Sequence, residues 1–387
     1  MLKKIGLYLT AFIATAIYML AGNDSFMRYY TGKLSESKQT WFQWDRHRYG
    51  DLYGLSYLRS YRVPPPFFGG ELIRQPDSSK LFDLYIIGDS YLSQFNPGMD
   101  DSALYRTELK YTYRPGDEGE LTKHIVFENN GRKKILLLER TERYIRADYS
   151  RRLANLRYLN YYIVEKSTAL PSTPKAQNLM QKPALISSPN NIFTDIMQGF
   201  HFKVSMPIIN QNLETLLFSY GMFTGVKETK AAFNFNLFNR VSSKVYLAPD
   251  HYNLYAYETI DPYSEYSSFR PIEEAELDTV VNNMNFIAEH YKKMGFNEVL
   301  FSIVPSAVVI EDPQIGKYND LINKIQRRPD LSFTMIDVYS RYLSEPIRKK
   351  LYSIGDTHWT SRGFRIWIDA LNEWLKSQSF YYSKNIQ

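Results

Sequence analysis

Two segments far apart in the chain, Ile86-Ile87-Gly88-Asp89-Ser90 and Gly355-Asp356-Thr357-His358-Trp359, hold a serine, an aspartate and a histidine. These are the three groups of acyl-serine chemistry: Ser90 as nucleophile, His358 as its base and Asp356 to orient the imidazole. The Asp356–His358 spacing allows this only in a non-helical loop, where one side chain curls back to the next but one. A serine at the end of a strand can also offer its own backbone N–H to a developing oxyanion. Each segment alone admits a plainer reading, Gly-Asp-Ser as a turn tripeptide and Asp356 and His358 as polar loop residues. An Asp-x-His pair can equally supply two metal ligands. His47, His124, His201, His251 and His290 offer no spacing that completes such a site, so neither metal nor cofactor is assigned. Further oxyanion or substrate candidates are Arg143, in the run Glu139-Arg140-Thr141-Glu142-Arg143, then Ser306 and Tyr318. The charged run also reads as a solvated face.

The elements that must position these groups alternate between strand and helix. Leu84 to Ile87 and Ile135 to Leu138 are continuous apolar runs, expected as buried strands. Between them, Glu118 to Asn130 reads as a helix with Leu121, Ile125 and Val126 inward and Gly131 as its stop. After Pro271 come a helix to Lys293, a strand Glu298 to Val304, a helix Tyr318 to Gln326 and a strand Phe333 to Val338. Ser361 to Lys376 forms a last amphipathic helix. This rhythm predicts an α/β fold with a parallel central sheet covered on both faces. The candidate residues then gather beyond the carboxyl ends of its strands. The expected domains are a signal anchor over 1–22, a lead-in over 23–80, a core over 81–150 and 271–387, and a β-containing insertion over 151–270. Within the insertion, Lys244 to Ala248 and Asn253 to Tyr257 read as a hairpin.

Composition narrows the setting. The chain has no cysteine among its 387 residues, which excludes disulfides, thiolate metal sites and cysteine nucleophiles. A net charge of +6 without a dense basic block does not suggest nucleic acid. The 32 tyrosines suit stacking on sugar rings, although most can equally serve a large core and its rim. Lys3 and Lys4 precede an uncharged apolar stretch, Ile5 to Leu20, which reads as an uncleaved signal anchor. Everything after Asp24 is then exported, in a periplasmic or other extracytoplasmic compartment, tethered to the inner membrane.

Gly88-Asp89-Ser90 after a buried strand, with Asp356-Thr357-His358-Trp359 before a C-terminal helix, resembles the SGNH (GDSL-like) hydrolase superfamily. The likeness is to its Asp-x-His-Trp branch, which includes periplasmic proteins that O-acetylate alginate and bacterial cellulose. The Glu139 to Arg143 run and Phe301-Ser302-Ile303-Val304-Pro305 also resemble that branch. The resemblance implies a three-layer flavodoxin-like fold and an acyl-serine intermediate carried by Ser90, His358 and Asp356. It also implies a membrane-bound O-acyltransferase partner that delivers acetyl groups. The chain departs from the pattern in three ways. Most superfamily members have Asp-x-x-His, the alginate proteins place the Asp-His segment first, and no Gly-x-Asn-Asp block supplies a second oxyanion donor. The expected function is O-acyl transfer or ester hydrolysis on an envelope or extracellular polysaccharide. The alternative is a non-catalytic glycan-binding or scaffolding protein of the same fold.

Overall fold

The computed structural model describes residues 2–23, 25–27, 29–30, 49–63, 79–93, 101–113, 124–150, 162–165, 206–218 and 220–384. The chain divides into two compact units. One comprises Met1–Tyr49, Tyr57–Arg59 and Ala169–Arg240, the other Gly50–Ser56, Ser60–Thr168 and Val241–Gln387.

The strands of the second unit are β1 (Phe82–Ile87), β2 (Thr107–Tyr113), β3 (His124–Phe127), β4 (Lys133–Thr141), β5 (Tyr162–Glu165), β6 (Val245–Leu247), β7 (Leu254–Ala256), β8 (Glu298–Val304) and β9 (Thr334–Ile336). Five of them form the central sheet in the order β2-β1-β4-β8-β9, and every pairing is parallel. Counted within the sheet this is the 2-1-3-4-5 order of flavodoxin-like folds, whose topological switch lies between the first and third strands. Here those strands are β1 and β4, the two that lead into Ser90 and into Arg143.

The strands read as unbroken apolar runs because both faces of the sheet are covered. All six residues of β1 are buried. On β8, Phe301 meets Tyr149 of the helix Glu142–Tyr149, ring centroids 6.1 Å apart. Asn283 of the helix Glu274–Lys293 donates to the Tyr149 carbonyl at 2.5 Å. The next residue, Ser302, points the other way and accepts a hydrogen bond from Trp367 Nε1, 2.9 Å away on the helix Ser361–Lys384. One residue's step along β8 thus exchanges one helical layer for the other, giving three layers. Phe301 and Trp367 are fully buried, and each such side chain contributes about 1.5–3 kcal/mol.

The described part of the expected helix Glu118 to Asn130 is instead the strand β3, parallel to β5. Ile125 and Phe127 are both buried, a period of two, and Phe127 packs edge-on to Tyr85 and Phe296. Residues 118–123 lie outside the described residues. The β6–β7 hairpin is antiparallel as expected, but it belongs to the unit that holds the sheet. Leu254 N donates to the Ile354 carbonyl at 3.1 Å, and Tyr61 Oη to that of His251 at 2.5 Å. The boundary therefore falls at 240/241, not at 270, and Gly50–Ser56 of the lead-in is also part of the sheet unit.

In the other unit, the helix Leu2–Ala21 contains a segment, Lys4–Ala21, long and apolar enough to cross a membrane. The described residues of the expected β-containing insertion that fall here form helices, Met206–Phe218 and Thr224–Phe238.

Candidate active site

The turn after β1 needs a glycine. A Cβ on Gly88 would lie 2.6 Å from Glu139 Oε2 and 2.5 Å from Leu92 Cδ1. That close approach lets Glu139 Oε2 accept the Asp89 N–H at 2.9 Å. Asp89 in turn accepts the Thr141 N–H at 2.9 Å, the Thr141 hydroxyl and the Tyr91 N–H at 3.0 Å. The aspartate of Gly-Asp-Ser therefore latches the end of β1 to the end of β4. Burial, and then the neighbouring Asp89 charge, push Glu139 well above the usual carboxylate range. A neutral Glu139 spares the turn a second buried negative charge.

Ser90 opens the short helix Ser90–Ser93 and is part-buried. Its Oγ lies 2.9 Å from His358 Nε2. The other ring nitrogen, Nδ1, faces Asp356 Oδ1, which also accepts the His358 N–H at 2.9 Å. Burial raises the Asp356 carboxyl, but the hydrogen bonds and charge of His358 outweigh it and hold the group below its usual range. The structure brings these three sequence candidates together.

The loop that carries Asp356 and His358 is closed at its neck. Tyr352 bridges Trp359, Ser353 N donates to the His358 carbonyl at 3.0 Å, and Thr360 N to that of Leu351 at 2.8 Å. Trp359 is fully buried against Phe364 and Trp367 and roots the loop in the last helix. Tyr91 packs its ring against His358, centroids 4.8 Å apart, and donates its hydroxyl to the Thr357 carbonyl. Gly355 permits the tightest approach. A Cβ there would sit 1.9 Å from the Tyr61 carbonyl oxygen.

Asp51 was not foreseen from sequence. Its N–H donates to Asp356 Oδ2 at 3.1 Å, and its carboxylate accepts the Thr357 N–H at 2.7 Å and the Thr357 hydroxyl at 2.5 Å. Asp51 opens the helix Asp51–Ser56, and nothing local ties it to a loop at the other end of the chain. Replacing Asp51 with alanine is expected to lower ester turnover about 10²-fold, the scale of an ångström-level misplacement of a catalytic group. Steady-state kinetics beside a melting curve would test this. An Asp51→Ala variant with wild-type turnover would remove it from the machinery.

Asp51, Asp356 and His358 also present three ligand atoms within 4.8 Å of one another. Each of those atoms already has a hydrogen-bond partner in the network just described, so the geometry is accounted for without an ion.

The remaining sequence candidates divide. Arg143 and Ser306 line a cavity of about 20 Å³ with Leu52, Thr141, Asp356 and Thr357. Ser90 does not line it. The Arg143 guanidinium stacks on Tyr144 and lies 3.9 Å from Glu258. Burial opposes its charge, yet Tyr144, Tyr91, Asp51 and Glu258 together hold its pKa above the usual value. Its Nε has no hydrogen-bond partner among the described residues. The Ser306 N–H donates to Glu142 Oε2 at 2.8 Å. Tyr318 does not line the cavity but reaches it through Glu142, to which its hydroxyl is hydrogen-bonded; it also accepts the Ile322 N–H at 3.2 Å and packs on Tyr339. The charged run is not a solvated face, since Glu139, Thr141 and Glu142 are all buried.

Burial pushes Glu142 up to about 6. A carboxyl raised on folding contributes stability that is complete below its unfolded value and lost as pH rises through the folded one. Over its whole titration this group alone should withdraw about 2 kcal/mol, most of it between about pH 4.5 and 6.5. Glu139 and Glu311, also raised by burial, act in the same direction. The melting temperature should therefore fall from pH 5 to pH 7, and less steeply in Glu142→Gln. An identical slope in that variant would contradict the assignment.

Fold and site together define a mixed α/β protein with a five-stranded parallel sheet, compatible with a flavodoxin-like fold, and a Ser–His–Asp constellation where its strands β1 and β4 end. Comparison with protein-family models, curated proteins and solved structures finds no match.

Proposed function

We propose that this protein is a membrane-anchored serine enzyme of the SGNH type that transfers or hydrolyses O-acyl groups. The observation that carries this is the Ser90 Oγ to His358 Nε2 contact of 2.9 Å, with Nδ1 of the same ring on Asp356. Ser90 Oγ attacks the acyl carbonyl while His358 Nε2 takes its proton. As the tetrahedral intermediate collapses, the imidazolium returns that proton to the departing oxygen and leaves an acyl-serine. A hydroxyl or water, deprotonated by the same nitrogen, then resolves it. Acetyl as the acyl group, an envelope polysaccharide as acceptor and a membrane-bound O-acyltransferase as donor partner rest on the motif resemblance alone. The apolar helix Leu2–Ala21 is compatible with the membrane anchor, and the parallel sheet bears on the fold alone. The test is covalent labelling of the purified chain by a fluorophosphonate, with the modified peptide mapped. Adduct on Ser90 supports the proposal, and a chain that stays unlabelled while folded sinks it.

A further inference from the structure

The helix Thr224–Phe238 leaves large apolar side chains uncovered. Val226 is 63% exposed, Phe233 55% and Leu237 63%. On a helix of 3.6 residues per turn these three fall within about 40° of one another, so they form a single stripe. Leu217 and Phe218 of the preceding helix, Met206–Phe218, and Met222 of the turn after it are also exposed. A stripe of large exposed apolar side chains of this kind marks an interaction site.

The occupant is indicated by what the same unit contains. Asn212 donates to the Ala21 carbonyl at 2.7 Å, and Tyr30 Oη to that of Leu216 at 3.5 Å. The helix Met206–Phe218 is therefore fastened at the C-terminal end of the N-terminal apolar helix. Ala21 is fully buried there, whereas Leu7, Tyr8 and Phe12 remain exposed along the shaft. If that shaft spans the bilayer, as proposed above, Ala21 marks its exit and Met206–Phe218 lies at the lipid surface. Only the short turn Gly221–Phe223 separates that helix from Thr224–Phe238, and Phe218 and Phe223 pack edge-to-face across it. Lys230 falls about 20° from Leu237, on the rim of the same stripe, and its flexible stem lets the ammonium reach back to lipid phosphates; Arg240 is exposed just beyond the helix.

We infer that the helix Thr224–Phe238 lies in the membrane interface, with Val226, Phe233 and Leu237 seated among lipid acyl chains. This rests on the membrane-spanning reading of Leu2–Ala21. It gives the unit that contains Leu2–Ala21 a second attachment to the bilayer.

The absence of cysteine allows unambiguous single-site labelling. Full-length Phe233→Cys, Leu237→Cys, Ala232→Cys and Phe12→Cys variants, each carrying an environment-sensitive NBD dye, are reconstituted into nanodiscs of phosphatidylcholine and phosphatidylglycerol. The expected result is blue-shifted emission at 233, 237 and 12, quenched by brominated acyl chains and protected from aqueous iodide. Position 232, exposed on another face, should be quenched by iodide. Lipid quenching at 12 with iodide quenching at 233 and 237 would overturn the inference while leaving the anchor intact. Protection of 233 and 237 from both quenchers would overturn it in favour of a protein partner or a second copy. Loss of lipid quenching at 12 itself would remove the anchor on which the inference stands.

Discussion

His358→Ala is expected to reduce turnover of an acetyl ester such as p-nitrophenyl acetate by about 10⁴–10⁶-fold, and Ser90→Ala by a similar factor. Without the imidazole, Ser90 Oγ has no acceptor for its proton at 2.9 Å and attacks as a neutral alcohol. Without the hydroxyl, the imidazole has nothing to activate. The two groups act as a unit, so the double variant should be no slower than either single one. That non-additivity is the sharper test. Independent, multiplying losses would mean that the two residues serve separate steps. Neither change should unfold the chain, because Ser90 is only part-buried and the loop around His358 is held by Tyr352, Trp359 and Tyr91. A melting curve settles that point before kinetics are compared.

Transfer and hydrolysis share these residues and differ in how well an acyl-serine is shielded from water. Arg143 bears on that question. It is charged, largely enclosed and lines the cavity next to the Asp356–Thr357 loop. The sequence could rank Arg143 only as one of several candidates, because a Glu-Arg-Thr-Glu-Arg run has the same appearance on a solvated face. Once β4 delivers Glu139 and Thr141 into the latch around Asp89, the run cannot be solvated.

That contrast shows where sequence reading succeeds. Strands β1, β4 and β8 were legible because a strand covered on both faces has no polar alternation, and their apolar runs are too short to pass for helices. The triad was legible because each half carries its own local context, a strand end and a helix start. β3 was misread because its apolar residues between Glu118 and Gly131 fit a helical stripe as well as a two-residue alternation. Only its pairing with β5 decides between them. Asp51 was invisible for a different reason. Its partners Asp356 and Thr357 are brought to it by the closed loop and by Gly355 lying against the Tyr61 backbone. No periodicity in the chain encodes that meeting. Glu139 likewise reads as one charge among several until burial makes it a hydrogen-bond acceptor inside the nucleophile turn.

The second large effect is expected at Asp356. Asp356→Asn should lower turnover about 10⁴-fold, the scale seen when an orienting carboxylate becomes an amide, although it changes almost no volume. The reason is a shortage of acceptors. Oδ1 receives both the His358 N–H and the ring Nδ1, while Oδ2 receives the Asp51 N–H. Asparagine has one oxygen for these tasks and an NH₂ where the other stood. If its oxygen stays on His358, two donors confront each other at Asp51 N. If it turns to Asp51, the NH₂ meets Nδ1, forces the proton onto Nε2 and leaves Ser90 without a base. Either choice also removes the negative charge that stabilises the imidazolium. The same charge has a stability signature, and its sign follows from the direction of the shift. A carboxyl held below its usual range contributes stability that is present above the unfolded value near pH 4 and lost as pH falls through the folded one. Wild type should therefore lose stability below about pH 4 more steeply than Asp356→Asn does. Kinetics of the variant across pH 5–9 and melting curves across pH 2–5 measure the two consequences separately. Near-wild-type turnover with an unchanged acid limb would show that Asp356 neither orients His358 nor carries charge on its behalf.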